Sequence, residues 1–197
     1  MLPPLDGLDQ QAGADRPSAR DATIEAPADA TIWQGGVFQQ DIWVTVADGD
    51  PLPQASPAIL SKKRWLIEHD GLAGRNTPVG LKLEPGEALD DIVGDLAQFS
   101  VIALNFPKFS DGRAFSTATL IRDKHGFKGE LRAVGNVLSD QIPLMRRVGF
   151  DTFEVTHAPT RHALLEGRLA EVRLHYQPAV VSEPPVGTRP WLRRTSG

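Results

Sequence analysis

The sequence has no cysteine among its 197 residues. That absence removes disulfides, thiolate catalysis, zinc–cysteine centres and cysteine-ligated iron–sulfur clusters from what the chain can carry. It also leaves no signature of redox compartment, so a cytoplasmic location is the default expectation. No apolar run approaches the roughly 20 residues needed to span a bilayer. The first residues lack the basic start and apolar core of a signal peptide, and a soluble protein with no membrane partner is expected. Basic residues are not in excess: 21 Lys and Arg stand against 25 Asp and Glu, a formal charge of -4. General nucleic-acid binding, which needs a basic face, is therefore not expected. The sequence has no GxGxxG, no P-loop and no GxSxG. His69, His125, His157, His162 and His175 show no metal-ligand spacing, so no metal site is expected. No cofactor is evident, and flavin alone stays open.

What is present reads as one ordinary globule. The chain is 41% apolar and 23% charged, and it is long enough for a single domain with a sizeable core. Residues 1–30, rich in Pro, Ala and Asp, read as a disordered or loosely attached arm. Residues 31–176 read as a single α/β domain and 177–197 as a proline-rich, extended tail. The stretch VFQQDIWVTVADGDP is a strand or hairpin closed by Asp48-Gly49-Asp50-Pro51; KRWLIEH suits a short helix or a strand.

From Val79 a regular alternation begins. VGLKLEP, VIALNF, GELRAVG and FDTFEV read as strands starting near residues 80, 101, 130 and 151. Between them lie helical patterns. EALDDIVGDLAQF spaces Leu89, Ile92 or Val93, Leu96 and Phe99. RAFSTATLIRDKHG stops at Gly126, and SDQIPLMRRVG stops at Gly149. TRHALLEGRLAEVRLH is expected to be a final helix packing Leu165, Leu169 and Val172. Consecutive βα units imply a parallel sheet with right-handed crossovers, either an open sheet or a partial (β/α) barrel, preceded by a short β segment. The continuous apolar run of VIALNF predicts a strand covered on both faces.

The words FPKFSDGR (106–113), GFKGELRAVG (126–135), SDQ (139–141) and GFDTFE (149–154) occur in an order and spacing that resembles bacterial domain-of-unknown-function family 934. PVGLKLEP (78–85) and YQPA (176–179) resemble its outer segments. Members are often labelled oxidoreductases of sulfite reduction, because they sit beside assimilatory sulfite reductase. The resemblance thus implies a role in sulfur assimilation, with sulfite reductase or its electron donor as the partner. Ala114, Asn136 and Val148 stand where the family commonly has glycine, aspartate and cysteine, which turns the implied chemistry away from a redox thiol.

Ligands of parallel α/β folds gather at the carboxyl ends of strands, where helix N-termini offer unpaired N–H groups to anions. Loops 106–113, 135–141 and 156–161 qualify. They make Lys108, Asp111, Gly112, Arg113, Gly135, Asn136, Asp140 and Gln141 candidates for contacting an anion or a partner. Lys108 and Arg113 carry the charge, and Arg132 completes an oxyanion site if it faces the same crevice. Each has a plainer reading. Ser110 or Asp111 suits a helix N-cap, with Gly112 easing the entry, and Asp140 suits another cap. Pro143 belongs in a first turn, which puts that helix start near Ser139 or Asp140. Arg132, interrupting an apolar strand, needs a carboxylate partner such as Glu130, Asp140 or Glu154. His157 and His162 flank a strand-to-helix loop and suit surface or capping roles as well as functional ones. In the tail, Trp191 with Arg193 and Arg194 forms an aromatic–arginine cluster suited to a partner interface.

Two functions follow. One is an accessory protein of sulfite reduction; the other is a small α/β oxidoreductase or other enzyme acting on a sulfur oxyanion. Catalytic residues are not assigned, and a homo-oligomer stays open. Isothermal titration with sulfite and sulfate tests the loop site. Binding heat is expected, and its absence at millimolar ligand removes the small-anion reading.

Overall fold

The structure, a computed structural model, describes residues 27, 29–72 and 74–169. The tail cluster Trp191, Arg193 and Arg194, and most of the N-terminal arm, lie outside the described residues.

Eight strands form one sheet: β1 (Ile32–Gln34), β2 (Val37–Gln39), β3 (Val44–Thr45), β4 (Ala58–Ser61), β5 (Val79–Leu83), β6 (Val101–Phe106), β7 (Glu130–Gly135) and β8 (Thr152–Glu154). Strands β3 to β8 are parallel and neighbour one another in chain order. The β1–β2 hairpin, turned by Gly35-Gly36, adds to β8 in antiparallel sense. The four strands expected after residue 79 are present. Two more, β3 and β4, extend the parallel run upstream.

Sequential parallel strands with right-handed crossovers place every crossover on one face of the sheet. Helices α1 (Lys62–Leu72), α2 (Arg113–Thr119), α3 (Ile142–Arg147) and α4 (Ala158–Leu165) all lie there, with a 3-10 segment over Val93–Gln98. Their apolar residues Trp65, Leu96, Ala118, Met145 and Leu164 join Leu60, Leu81, Ile102, Leu104, Leu131 and Phe153 of the strands in one core. The opposite face carries only a small cluster of Ile59, Val101, Ala103 and Val134, with Trp43 against it. The run VIALNF is therefore not sandwiched between two helical layers. Among the described residues, its second face looks onto that cluster and onto charged side chains.

The sheet is open and curled, with β2 at one edge and β3 at the other. Laid flat, eight strands would set these edges about 34 Å apart. Yet only residues 40–43 separate Gln39 from Val44, a stretch whose five Cα steps reach about 18 Å at most. The sheet must bend until its edges lie within about 18 Å of each other, and residues 40–43 strap the gap. The helix-free face thus becomes the wall of a lumen.

Two helical expectations are corrected. The 87–99 pattern does bury Leu89, Ile92, Leu96 and Phe99, but in tighter three-residue turns, with hydrogen bonds such as Asp95 N–H to Ile92 O and Phe99 N–H to Leu96 O. Gly94 lowers α-helix propensity within this stretch. The final helix ends at Leu165, where Gly167 takes a left-handed conformation (φ 68°). Leu169 still packs against the core, and residues 170–175 of the expected helix, Val172 among them, lie outside the described residues. The stops at Gly126 and Gly149 are as expected, with φ of 63° and 98°. Between α2 and Gly126 the helix widens into a π-turn over Leu120–Lys124.

Phe153 is fully buried on β8 and packs against Trp33 and Phe150. Phe153→Ala is expected to lower unfolding free energy by about 3–5 kcal/mol in urea denaturation. Phe109→Ala, at a side chain 63% exposed, is expected to change it by less than about 0.5 kcal/mol.

Candidate functional site: the lumen of the curled sheet

Alternation along each strand decides which side chains enter the lumen. Ser61, Lys82, Ala103, Arg132 and Thr152 are register partners across β4 to β8. One step further along, Asn105 and Val134 pair on β6 and β7. Asp41 enters from the strap. Asp41, Thr45, Ile59, Lys82, Ala103, Asn105, Arg132, Val134, Gly135 and Glu154 together enclose a cavity of about 330 Å³.

Arg132 organises this space. It is 4% exposed, and an unpaired guanidinium there would be prohibitively costly. Its Nε donates to Glu130 Oε1 at 2.8 Å and its Nη1 to Asp41 Oδ2 at 2.7 Å. Thr152 Oγ1 donates to the same Glu130 oxygen at 2.6 Å. Burial opposes the arginine's charge, but the hydrogen bonds and charges of Glu130 and then Asp41 outweigh it and raise its pKa. Asp41 is oriented locally, because its other oxygen accepts the Trp43 N–H at 3.0 Å.

The remaining carboxylates behave differently. Burial, then the neighbouring Asp41 charge, pushes the Glu154 carboxyl up, with Arg132 and Lys82 offsetting only part of the rise. Glu84 goes the other way: burial would raise it, but hydrogen bonds from Asn105 (2.6 Å) and Lys82 (3.0 Å) hold it below its ordinary value. Glu154 lines the cavity and Glu84 lies outside it, joined to it through Asn105 and Lys82. A carboxyl whose pKa is pushed up beside cations is a usual ingredient of proton transfer. Gly135 closes the end of β7 with φ 90°; a Cβ there would lie 2.6 Å from Asn105 Oδ1 and 2.7 Å from Phe106 O. Only glycine permits that approach.

Of the residues singled out by sequence, the cavity brings together Arg132, Gly135 and Glu154. Lys108, Asp111, Gly112, Arg113, Asn136, Asp140 and Gln141 do not line it. Arg113 instead pairs with Asp111 at 2.7 Å, and that hydrogen bond holds the Asp111 carboxyl below its ordinary range. Gly112, not Ser110 or Asp111, is the N-cap of α2; Asp111 Oδ1 accepts the Arg113 N–H instead. Likewise α3 starts at Ile142 with Gln141 as cap, and Asp140 is exposed. Pro143 does fall in the first turn. Gln141 ties two of the loops together, its Nε2 donating to Phe109 O at 2.7 Å while its Oε1 accepts the Leu138 N–H. His157 caps α4 and its Nδ1 lies 2.9 Å from Thr160 Oγ1. Among the described residues no group of three acidic or histidine side chains is placed to hold a metal. No helix among them is long and apolar enough to cross a membrane.

Sequence reasoning offered Glu130, Asp140 or Glu154 as the partner of Arg132. Among the described residues Glu130 is one, Asp140 and Glu154 form no ion pair with it, and Asp41, which lies 91 residues away in the chain, was missed. Lys82 was also passed over. Lys82 between Leu81 and Leu83 on β5, and Glu130 and Arg132 two apart on β7, were the available signal.

The profile of a family described as "Bacterial protein of unknown function (DUF934)" matches residues 80–187, more than half of the chain. The chain belongs to this family. Lys82, Glu130, Arg132 and Glu154 lie within the matched stretch, and Asp41 lies outside it. No curated protein matches the sequence.

Two measurements check the electrostatics. Arg132→Met leaves Asp41 and Glu130, each 26% exposed at the side chain, without their counter-charge and is expected to cost about 1–3 kcal/mol of stability in urea. Glu154 binds its proton more tightly folded than unfolded, so its contribution makes stability fall as pH rises from near 4.5 through its folded pKa. Glu154→Gln removes that penalty. The variant is expected to match the wild type at low pH and to be the more stable of the two at neutral pH; a pH-independent difference would contradict the assignment.

Proposed function

We propose that the protein serves assimilatory sulfite reduction as an accessory to sulfite reductase or its electron donor, with the lumen as its working surface. The observation that carries this reading is the buried Arg132–Glu130–Asp41 network in a cavity lined mostly by residues of the family's matched stretch. Apolar residues of similar volume would stabilise the sheet at least as well as buried ion pairs, so a charged lumen points to binding. The association with sulfite reduction comes from the resemblance of the FPKFSDGR and GFKGELRAVG segments. A chain with no cysteine passes no electrons through thiols of its own, which suits handling or delivery better than a dithiol reaction.

A second reading, an enzyme acting on a sulfur oxyanion, is favoured by Glu154. A carboxyl with raised pKa in a cavity with Lys82 and Arg132 is equipped to give a proton to an anionic ligand. A bound chromophore in the purified protein would favour this reading.

Growth of a deletion strain decides the pathway. Failure on sulfate and on sulfite, rescued by sulfide or cysteine, is the expected result; normal growth on all four removes the role in sulfite reduction.

A further inference from the structure

We propose that the lumen between Lys82 and Arg132 binds a small anion, a sulfur oxyanion or a carboxylate, whose charged group takes the place that Asp41 holds on Arg132. This deepens the reading above by naming the ligand class of the same site, and it rests on that reading only for the choice of sulfur oxyanions among the probes.

The two carboxylates on Arg132 are not equivalent. Glu130 is fixed: it lies two residues away on the same strand and is held again by Thr152 from β8. Asp41 arrives on the four-residue strap, its side chain is 26% exposed, and its remaining oxygen is satisfied within its own turn by the Trp43 N–H. Losing Asp41 from Arg132 therefore leaves Glu130 in place as a counter-ion and does not unmake a strand.

The space beside this contact has the right dimensions. Ala103 separates Lys82 from Arg132 in the cross-strand row, so the two cationic residues start about 10 Å apart at the backbone. The alanine methyl leaves the gap between them open, over an apolar floor of Ile59, Ala103 and Val134. A ligand of a few heavy atoms can address Arg132 with its anionic group while Lys82 lies within reach.

Charge requires an exchange and disfavours simple addition. Asp41, Glu130, Glu84 and Glu154 already face Lys82 and Arg132. An anion added to this set would be repelled at close range, whereas a singly charged one that displaces the Asp41 carboxylate leaves the charge of the site unchanged, and a dianion such as sulfate adds only one negative charge instead of two. Asp41 is the chain's own carboxylate occupying the seat of the ligand, and it lowers the apparent affinity by the fraction of time it stays there.

The test is isothermal titration of the full chain and its Asp41→Asn variant with sodium sulfite, sulfate, phosphate and acetate. Asparagine keeps the acceptor for the Trp43 N–H and loses the charge, so the turn is retained. Asp41→Asn is expected to bind at least one probe about tenfold tighter than the wild type. Lys82→Met, in the wild-type background and combined with Asp41→Asn, is expected to weaken that binding by about tenfold. Circular dichroism identifies variants that do not fold; if Asp41→Asn is among them, Lys82→Met in the wild type carries the test alone. Equal affinity of folded wild type and Asp41→Asn overturns the proposal, as does binding that Lys82→Met leaves unchanged, or no binding of any probe. A gain for phosphate or acetate alone keeps the exchange at Arg132 and removes the sulfur ligand. A gain for sulfite in a protein whose deletion leaves growth normal keeps this inference and removes the pathway role.

Discussion

A guanidinium in the middle of a β-strand, nine-tenths or more shielded from water, must find its counter-charges within the protein. Arg132 finds one in Glu130 on its own strand, and the second comes from Asp41. To deliver Asp41, the chain has to cross from one edge of the sheet to the other, which it can do only because the sheet is curled. Lumen, strap and ion network are thus one arrangement. If the sheet were flat, Asp41 would be out of reach; if Arg132 were apolar, the strap would lose its anchor.

The asymmetry of the two faces follows from the same connectivity. Strands laid down in chain order send their crossovers to one side, and nearly all the large apolar side chains follow them there. The other side is left with four small or branched apolar residues and a set of charges. Stability is concentrated in the helical face, where Phe106 and Phe153 are fully buried. Polar side chains on the inner face are placed by β-strand backbone, which is a more rigid platform than loops.

Much of the frame could be read from the sequence because local patterns and tertiary packing agree there. The four strands after residue 79 are apolar runs bounded by turns, and they form where the runs are. Gly126 and Gly149 end helices as their position suggests. The 87–99 segment shows the limit: burial of Leu89, Ile92, Leu96 and Phe99 satisfies both an α and a 3-10 pitch, and Gly94 tips the balance. The site was less legible. Polar loops 106–113 and 135–141 stand out in sequence, yet only Gly135 of them lines the lumen, and Arg113 is taken up by Asp111. The lumen charges are hidden singly among apolar neighbours, and the Asp41–Arg132 contact spans a distance in sequence that no local pattern encodes.

The β1–β2 hairpin has a kinetic consequence. Strands β3 to β8 each pair with the next in sequence, so their contacts close short loops, whereas β1 must reach β8 across the whole intervening chain, with Ile32 opposite Glu154. That closure is the entropically costliest in the fold. The parallel core can form from these shorter closures before the hairpin joins it. The strap follows the hairpin directly, so Asp41, the second counter-ion of Arg132, depends on the longest-range pairing in the sheet.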